Sequence, residues 1–377
     1  MKKIHIFAGF NRNFGDLVLL DQQCKLLRSS FAKISDEQIV FIPISSHTSA
    51  DGKVSEITES MVDYINSGNM LIVGCGGQLM PDKNRHGFWQ FNIHPNLISK
   101  IRVPLVLFGI GSNTFAYADE NGNGGPLTTS QEGVFHNHLR KVCEKASLVS
   151  VRDSYAWHLF CELGIDYTHV IGDSAFTVER PRDGLGWIRG FNGFTLGIVF
   201  GGDRVAERYG SQAKYLQALE ALAHNVNNND MIQAVCIIPH SNLWDQEPAY
   251  LLQQMIDQRK KTVWYPHYLL PESVDKIPEL LGMYTNCDCV ISTRWHGVVI
   301  PAALGIPAIP LGNMIKQKAL GEDLTNGNLL MNDCNDFDWE LNRSLEINTR
   351  TAVQRNVKSK INSLKEFADR TVRFICN

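Results

Sequence analysis

Nowhere does this 377-residue chain carry the run of about 18 apolar residues that a membrane span needs. It also lacks an excess of charge. Its 36 lysines and arginines stand against 39 acidic residues, a formal net charge of -3. That excludes a broad basic surface for nucleic acid, so an anionic ligand must be held by a few local arginines or backbone amides. Nine cysteines are an odd number, and the closest pair, Cys287 and Cys289, is not a CxxC motif. Reduced thiols in a cytoplasmic protein are expected, rather than a disulfide framework or a zinc site. HExxH, GxSxG and clustered Cys/His ligands are all missing. His136 and His138 lie two apart on a predicted helix and so face different ways, which argues against a metal there. The apolar stretch Ile4–Phe10 is too short for a signal peptide.

What is present is a core-forming composition, 44% hydrophobic and 20% charged, in a length that suits about two domains of ~150 residues. Short apolar runs alternate with amphipathic stretches. Strands are expected at 4–9, 40–45, 70–75, 103–111, 148–152 and 169–173. A helical stripe runs through Leu17, Leu20, Cys24 and Leu27, and further helices are expected at 131–146 and 153–163. Asp153 is placed to cap the last of these and Gly164 to end it. A Gly/Pro/Arg-rich stretch, 179–193, reads as a linker. The rhythm then restarts with strands at 194–202, 234–240, 262–266, 288–293 and 308–312, a stripe through Tyr215, Leu216, Leu219, Leu222 and Val226, and a long helix over about 350–375. Such alternation implies parallel sheets covered by helices. The expected fold is α/β, two Rossmann-like domains facing a cleft. Expected boundaries are 1–185, 186–345 and a C-terminal helix over 346–377.

Five stretches sit where chemistry is expected, at the carboxyl ends of strands. In "NRNFGDLVLL" (11–20), Gly15 would let backbone approach a ligand and the helix start favours anions; Asp16 reads equally well as a simple cap. "VGCGGQLMPD" (73–82) carries Gly74, Gly76 and Gly77 but lacks the Lys-Ser/Thr of a P-loop. "FGIGSNTF" (108–115) lacks the third glycine and the acidic residue of a dinucleotide site. In "SVRDSYAWHLF" (150–160), Arg152 could fork onto a carboxylate or phosphate, or pair with Asp153 or Asp173. In "DCVISTRWHGVVIPAALGIP" (288–307), Arg294 and His296 lie between a strand and a helix. Arg294 suits an anion, and His296 could move a proton near neutral pH or be structural.

Together, and in this order, Asn13-Phe14-Gly15-Asp16, "GCGGQL", Gly109-Ile110-Gly111, "SVRDSYAWHLFCELG", "IGDSAF" and "STRWHGVVIPAALGIP" resemble the signatures of the polysaccharide pyruvyl transferase family over about residues 10–312. Trp295 stands where the family usually has leucine, and Ser174 where a proline often follows the aspartate. The resemblance implies a GT-B-like fold and transfer of a pyruvyl group from phosphoenolpyruvate (PEP) to a sugar of a cell-surface polysaccharide precursor. The product would be a cyclic ketal plus phosphate. It implies PEP binding by Arg152, Arg294, Trp295 through its backbone, and His296. His296 is the expected general acid, or a stabiliser of the departing phosphate. Asp16 is the expected base or sugar contact, and Asn13, Gly15, Gly76, Gly77, Ser112 and Asp173 are expected on the acceptor side. No nucleotide cofactor or metal is called for. The expected partners are PEP and a sugar or lipid-linked oligosaccharide, with no nucleic acid; a lipid-linked acceptor would bring the enzyme to the inner membrane. Two other readings stay open. One is a nucleotide-sugar glycosyltransferase, for which Arg204 after "FGGD" and the stretch "PHSNLWD" (239–245) could clamp a diphosphate. The other is a non-catalytic sugar- or anion-binding relative.

Overall fold

The computed structural model describes residues 1–9, 13–46, 54–80, 86–114, 127–181, 193–241, 243–264, 274, 277–312, 314–325 and 329–376. Two compact units emerge. The first comprises Met1–Asn11, Leu19–Ser174 and Lys360–Asn377; the second comprises Arg12–Val18 and Ala175–Ser359. Residues 12–18, expected with the N-terminal domain, therefore group with the second unit, and the last helix is shared between the two. Most of the expected linker, residues 182–192, lies outside the described residues.

The elements up to Ser174 are β1 (Lys2–Ala8), α1 (Phe14–Phe31), β2 (Ile39–Ser45), β3 (Glu56–Ile57), α2 (Glu59–Asn66), β4 (Met70–Leu79) and β5 (Asn92–Ile93). There follow α3 (Pro95–Ile98), β6 (Leu105–Ser112), α4 (Thr129–Lys145), β7 (Leu148–Val151), α5 (Ser154–Glu162) and β8 (His169–Val170). Six strands make a sheet in the order β2-β1-β4-β6-β7-β8, and every pairing is parallel. The strands read as near-continuous apolar runs because helices cover a parallel sheet. Phe7, Leu71, Val73, Leu105 and Leu107 pack with Trp89, Phe91, Leu139 and Phe160 in one core. Burying each such side chain is worth about 1.5–3 kcal/mol. The strand expected at 169–173 is only His169–Val170, because Gly172 turns the chain at φ 87°.

Beyond it come β9 (Phe194–Val199), α6 (Val205–Tyr209), α7 (Gln212–Asn228), β10 (Ile232–Ile237), α8 (Gln246–Met255), β11 (Lys261–Trp264) and α9 (Ile277–Tyr284). Then follow β12 (Cys289–Ser292), α10 (His296–Ala303), β13 (Ala308–Pro310), α11 (Ile315–Thr325), α12 (Phe337–Leu345) and α13 (Ile347–Cys376). The second sheet is also parallel, in the order β11-β10-β9-β12-β13. The apolar stripe foreseen on α7 is its buried face: Tyr215, Leu219 and Leu222 join Ile198, Ile237, Ile291 and Phe337 in the core. The mixed α/β architecture expected from the sequence is what the chain adopts.

Both sheets reverse strand order beside their first strand. β1 has β2 on one side and β4 on the other; β9 has β10 on one side and β12 on the other. The space beyond the carboxyl ends at such a reversal is where open α/β sheets bind ligands. In the second unit those ends carry Gly201–Asp203 after β9 and Thr293–His296 after β12.

Candidate functional site

The second unit gathers charge at its reversal point. β12 delivers Arg294, whose Nε donates to Asp245 Oδ2 at 2.7 Å while Nη2 donates to Asp245 Oδ1. Nη2 also lies 2.7 Å from Asp203 Oδ1. Asp203 in turn accepts from Arg208 Nη2 at 3.1 and 3.0 Å. Asp245 is further fixed by backbone amides, those of Gly202 (3.2 Å), His240 (2.8 Å) and Ser241 (3.1 Å). The carboxyl ends of β9, β10 and β12 are thereby tied to one guanidinium. Burial opposes the charge on Arg294, but Asp203 and Asp245 outweigh it and hold the pKa above its ordinary value. Burial likewise opposes the Asp203 charge, and Arg208 and Arg294 outweigh it, keeping that carboxyl below the usual range. Arg294 was expected to fork onto an anion; here the fork is taken by Asp245. Among the described residues no acceptor takes its Nη1. Two charged hydrogen-bond donors remain there.

Trp295 occupies the cap position of α10 with helical backbone angles, and its side chain makes no capping hydrogen bond. Ser292 Oγ accepts from the Arg294 amide and donates to the Arg294 carbonyl, at 2.9 and 2.8 Å, which shapes the turn. Gly297 lets the first turn lie on Ser292, because a Cβ there would overlap the Ser292 hydroxyl. The dipole at the start of this helix favours an anion.

His296 is the first residue of α10 and is buried. Its Nδ1 lies 3.8 Å from Asp16 Oδ1, in the first turn of α1, with the Asp16 side chain 31% exposed. Asn13, not Asp16, caps α1: its Oδ1 accepts from the Gly15 amide at 2.9 Å. Asp16 faces His296 from the next turn position. Gly15 is needed for the approach, since a Cβ would overlap the imidazole. Asn13, Gly15, Asp16, Arg294, Trp295 and His296 are thus brought into one unit, an arrangement their separation of some 280 positions conceals.

The other expected residues lie in the first unit. Arg152 follows β7. Its Nε is 3.4 Å from Asp153 Oδ2, its Nη1 3.5 Å from Asp173 Oδ2, and its Nη2 donates to the Ser112 carbonyl at 3.1 Å. Both ion pairs left open by the sequence are made. Asp153 also caps α5 through the Ala156 amide (2.8 Å) and accepts from the Ser112 amide (3.2 Å). Asp173 is therefore engaged by Arg152, and Ser112 by both Arg152 and Asp153. Gly111 has no room for a Cβ beside the Arg152 guanidinium. Gly76 turns the end of β4 at φ 92°, and Gly77 packs on Asn113.

The sequence reading missed Asp203, Arg208, His240, Asp245 and Tyr284 as parts of the site. The signal was present: "FGGDR" and "PHSNLWD" stood out, but as a clamp for another ligand. Among the described residues no group of three His, Cys, Asp or Glu is arranged to hold a metal ion.

Three solved structures share the fold along nearly the whole chain. A UDP-glucosyltransferase from Polygonum tinctorium is 12% identical, with 100% of this chain and 99% of that one covered and a TM-score of 0.57. The S. aureus MnaA–UDP structure is 12% identical, covering 99% and 95%, at 0.55. Anabaena HepE in complex with UDP and glucose is 14% identical, covering 99% and 100%, at 0.54. Such neighbours are GT-B glycosyltransferases and epimerases, and at these identities they establish architecture. No curated protein matches the chain. A family model does: it spans residues 13–313, from the asparagine that caps α1 to just past β13, and on that match the chain belongs to the polysaccharide pyruvyl transferase family.

Proposed function

We propose that the enzyme transfers the pyruvyl group of PEP to two hydroxyls of a sugar in a cell-surface polysaccharide precursor, releasing phosphate. The observation that carries the reading is the pairing, in one unit, of an imidazole with a partly exposed carboxylate beside an arginine that keeps two donors. PEP has a phosphate and a carboxylate. Arg294 Nη1 and the dipole at the start of α10 suit those groups. Trp295 contributes through its backbone at the helix opening, as the resemblance implies. Arg152 has a partner on each of its three nitrogens, from Asp153, Asp173 and Ser112, and no nitrogen is left without one. The assignment therefore rests on Arg294 and His296.

The steps follow from the donor. His296, protonated, gives a proton to the vinyl carbon. The first sugar hydroxyl adds to C2 while Asp16 accepts its proton. The second hydroxyl then displaces phosphate, its proton returning to His296 while the proton held by Asp16 leaves with the phosphate, which closes the ketal and restores both residues. A positioned acid or base is worth about 10²–10⁴-fold.

The test is incubation of the protein with PEP and lipid-linked or nitrophenyl sugars. Expected are phosphate release and a sugar mass gain of one pyruvate less one water. A UDP-sugar arm covers the alternative, since two neighbours were solved with UDP. Turnover with the UDP-sugar and none with PEP would overturn the proposal.

A further inference from the structure

Beside Arg294 lies a second imidazole. His240 follows β10 and is 1% exposed. Its amide donates to Asp245 Oδ2 at 2.8 Å, and its carbonyl accepts from the Phe14 amide at 2.8 Å. Its ring stands edge-on to Phe14 at 5.5 Å and to Tyr284 at 6.1 Å. It is thus locked between the residue that fixes Arg294 and the residue that precedes Gly15, on which His296 packs. Nε2 hydrogen-bonds to Tyr284 Oη. Nδ1 is enclosed and, among the described residues, has no partner. A buried polar atom left so costs about 1–3 kcal/mol and signals a missing water, ion or ligand.

Counting protons decides which form is present. Tyr284 has His240 as its hydrogen-bond partner among the described residues. If Nε2 carried the hydrogen, the tyrosine O–H and the Nδ1 lone pair would both be buried without partners. If the tyrosine donates to Nε2, one orphan remains, an Nδ1–H. Burial, and then the charges of Arg294 and His296, push the His240 pKa well below its ordinary value, so the imidazole is neutral and donates a single hydrogen bond. Burial, then Cys287 and Cys236, raise the Tyr284 pKa, so its O–H stays in place as donor.

We propose that His240 is a substrate-binding residue whose Nδ1–H donates to an oxygen of the anionic donor held at Arg294 and His296, with Tyr284 fixing the tautomer. This rests on the PEP reading above. A neutral donor suits the position: a second cation against Arg294 would be repelled, whereas an N–H adds a directional bond without charge.

The test uses full-length protein and two near-isosteres. The amide nitrogen of His240→Asn falls where Nδ1 is, and the amide of His240→Gln falls where Nε2 is. The expected result is a KM for PEP raised at least tenfold by His240→Gln and no more than about a third as much by His240→Asn, with comparable thermal unfolding of the two. Equal KM changes would overturn the proposal, because a purely structural role affects both alike. Nitrogen-15 histidine spectra of the wild type supply the second readout. The neutral Nδ1–H form is expected for His240, with that proton moving on addition of PEP; the Nε2–H form would overturn the inference whatever the donor. Absence of PEP turnover by the wild type would instead remove the proposed function, and the tautomer would still judge His240.

Discussion

The two units each contain a strand that ends in Ser-x-Arg and runs into a helix: Ser150-Val151-Arg152 between β7 and α5, and Ser292-Thr293-Arg294 between β12 and α10. The junctions look alike in sequence and differ in outcome. At the first, Arg152 meets the residue next to it, an aspartate 21 positions on and a carbonyl, at 3.1–3.5 Å, and all three nitrogens are used. Asp153 then caps the helix. At the second, Arg294 meets aspartates from two other strand ends, keeps Nη1, and leads into a helix whose cap residue makes no side-chain capping bond and whose first position is a histidine. At one junction every guanidinium nitrogen has a partner and the next residue caps the helix; at the other a whole nitrogen, Nη1, has none among the described residues. A Ser-x-Arg at a strand end does not by itself make an anion site. What matters is whether the next residue caps the helix and whether the local acceptors reach every guanidinium nitrogen.

Substitutions can break this contrast. The largest stability effect is expected from Asp245→Ala, which strands a buried guanidinium and three backbone amides; removing one partner of a buried pair costs about 3–5 kcal/mol. Urea unfolding would measure it, and the equivalent Asp173→Ala should cost less, because Arg152 keeps Asp153 and Ser112. His296→Asn is expected to lower kcat for PEP by about 10²–10⁴-fold with little change in unfolding; a rate within a few-fold of wild type would remove its role as acid. The two glycines that admit the key side chains make a sharper pair. Gly111→Ala should cost about 1–3 kcal/mol of stability by crowding Arg152. Gly15→Ala should act mainly on kcat, by displacing His296. Equal stability losses would erase the distinction between the two junctions.

The smallest effect concerns Glu340 on α12. Burial raises its carboxyl to about 7 from an ordinary 4.5. A raised folded-state pKa means the folded protein holds the proton longer, so this group's contribution to stability falls as pH rises from about 4.5 through about 7. Glu340→Gln should flatten that part of the stability-versus-pH curve and stabilise the protein at pH 8.

Much of the architecture was legible. Parallel-sheet strands are apolar runs, and nearly all were placed from that alone. Asp153 and Gly164 bounded α5 as their chemistry dictates. The Arg152 pairs were also readable, because their carboxylates are close in sequence. The Arg294 network was not. Asp203 and Asp245 are 91 and 49 positions away, and a parallel sheet brings such strand ends together in an order that local patterning does not encode. Asp16 was read as a cap of α1 or a base; the cap proved to be Asn13, which precedes the helix and whose Oδ1 accepts from the Gly15 amide. His240 escaped notice because its importance lies in one unpaired nitrogen.

The most direct test is the stoichiometry of a single reaction: the purified protein, PEP and a sugar acceptor, followed for phosphate and for acceptor mass. The account predicts one phosphate released per acceptor that gains one pyruvyl ketal. An acceptor left unmodified by PEP but glycosylated from a UDP-sugar would contradict it.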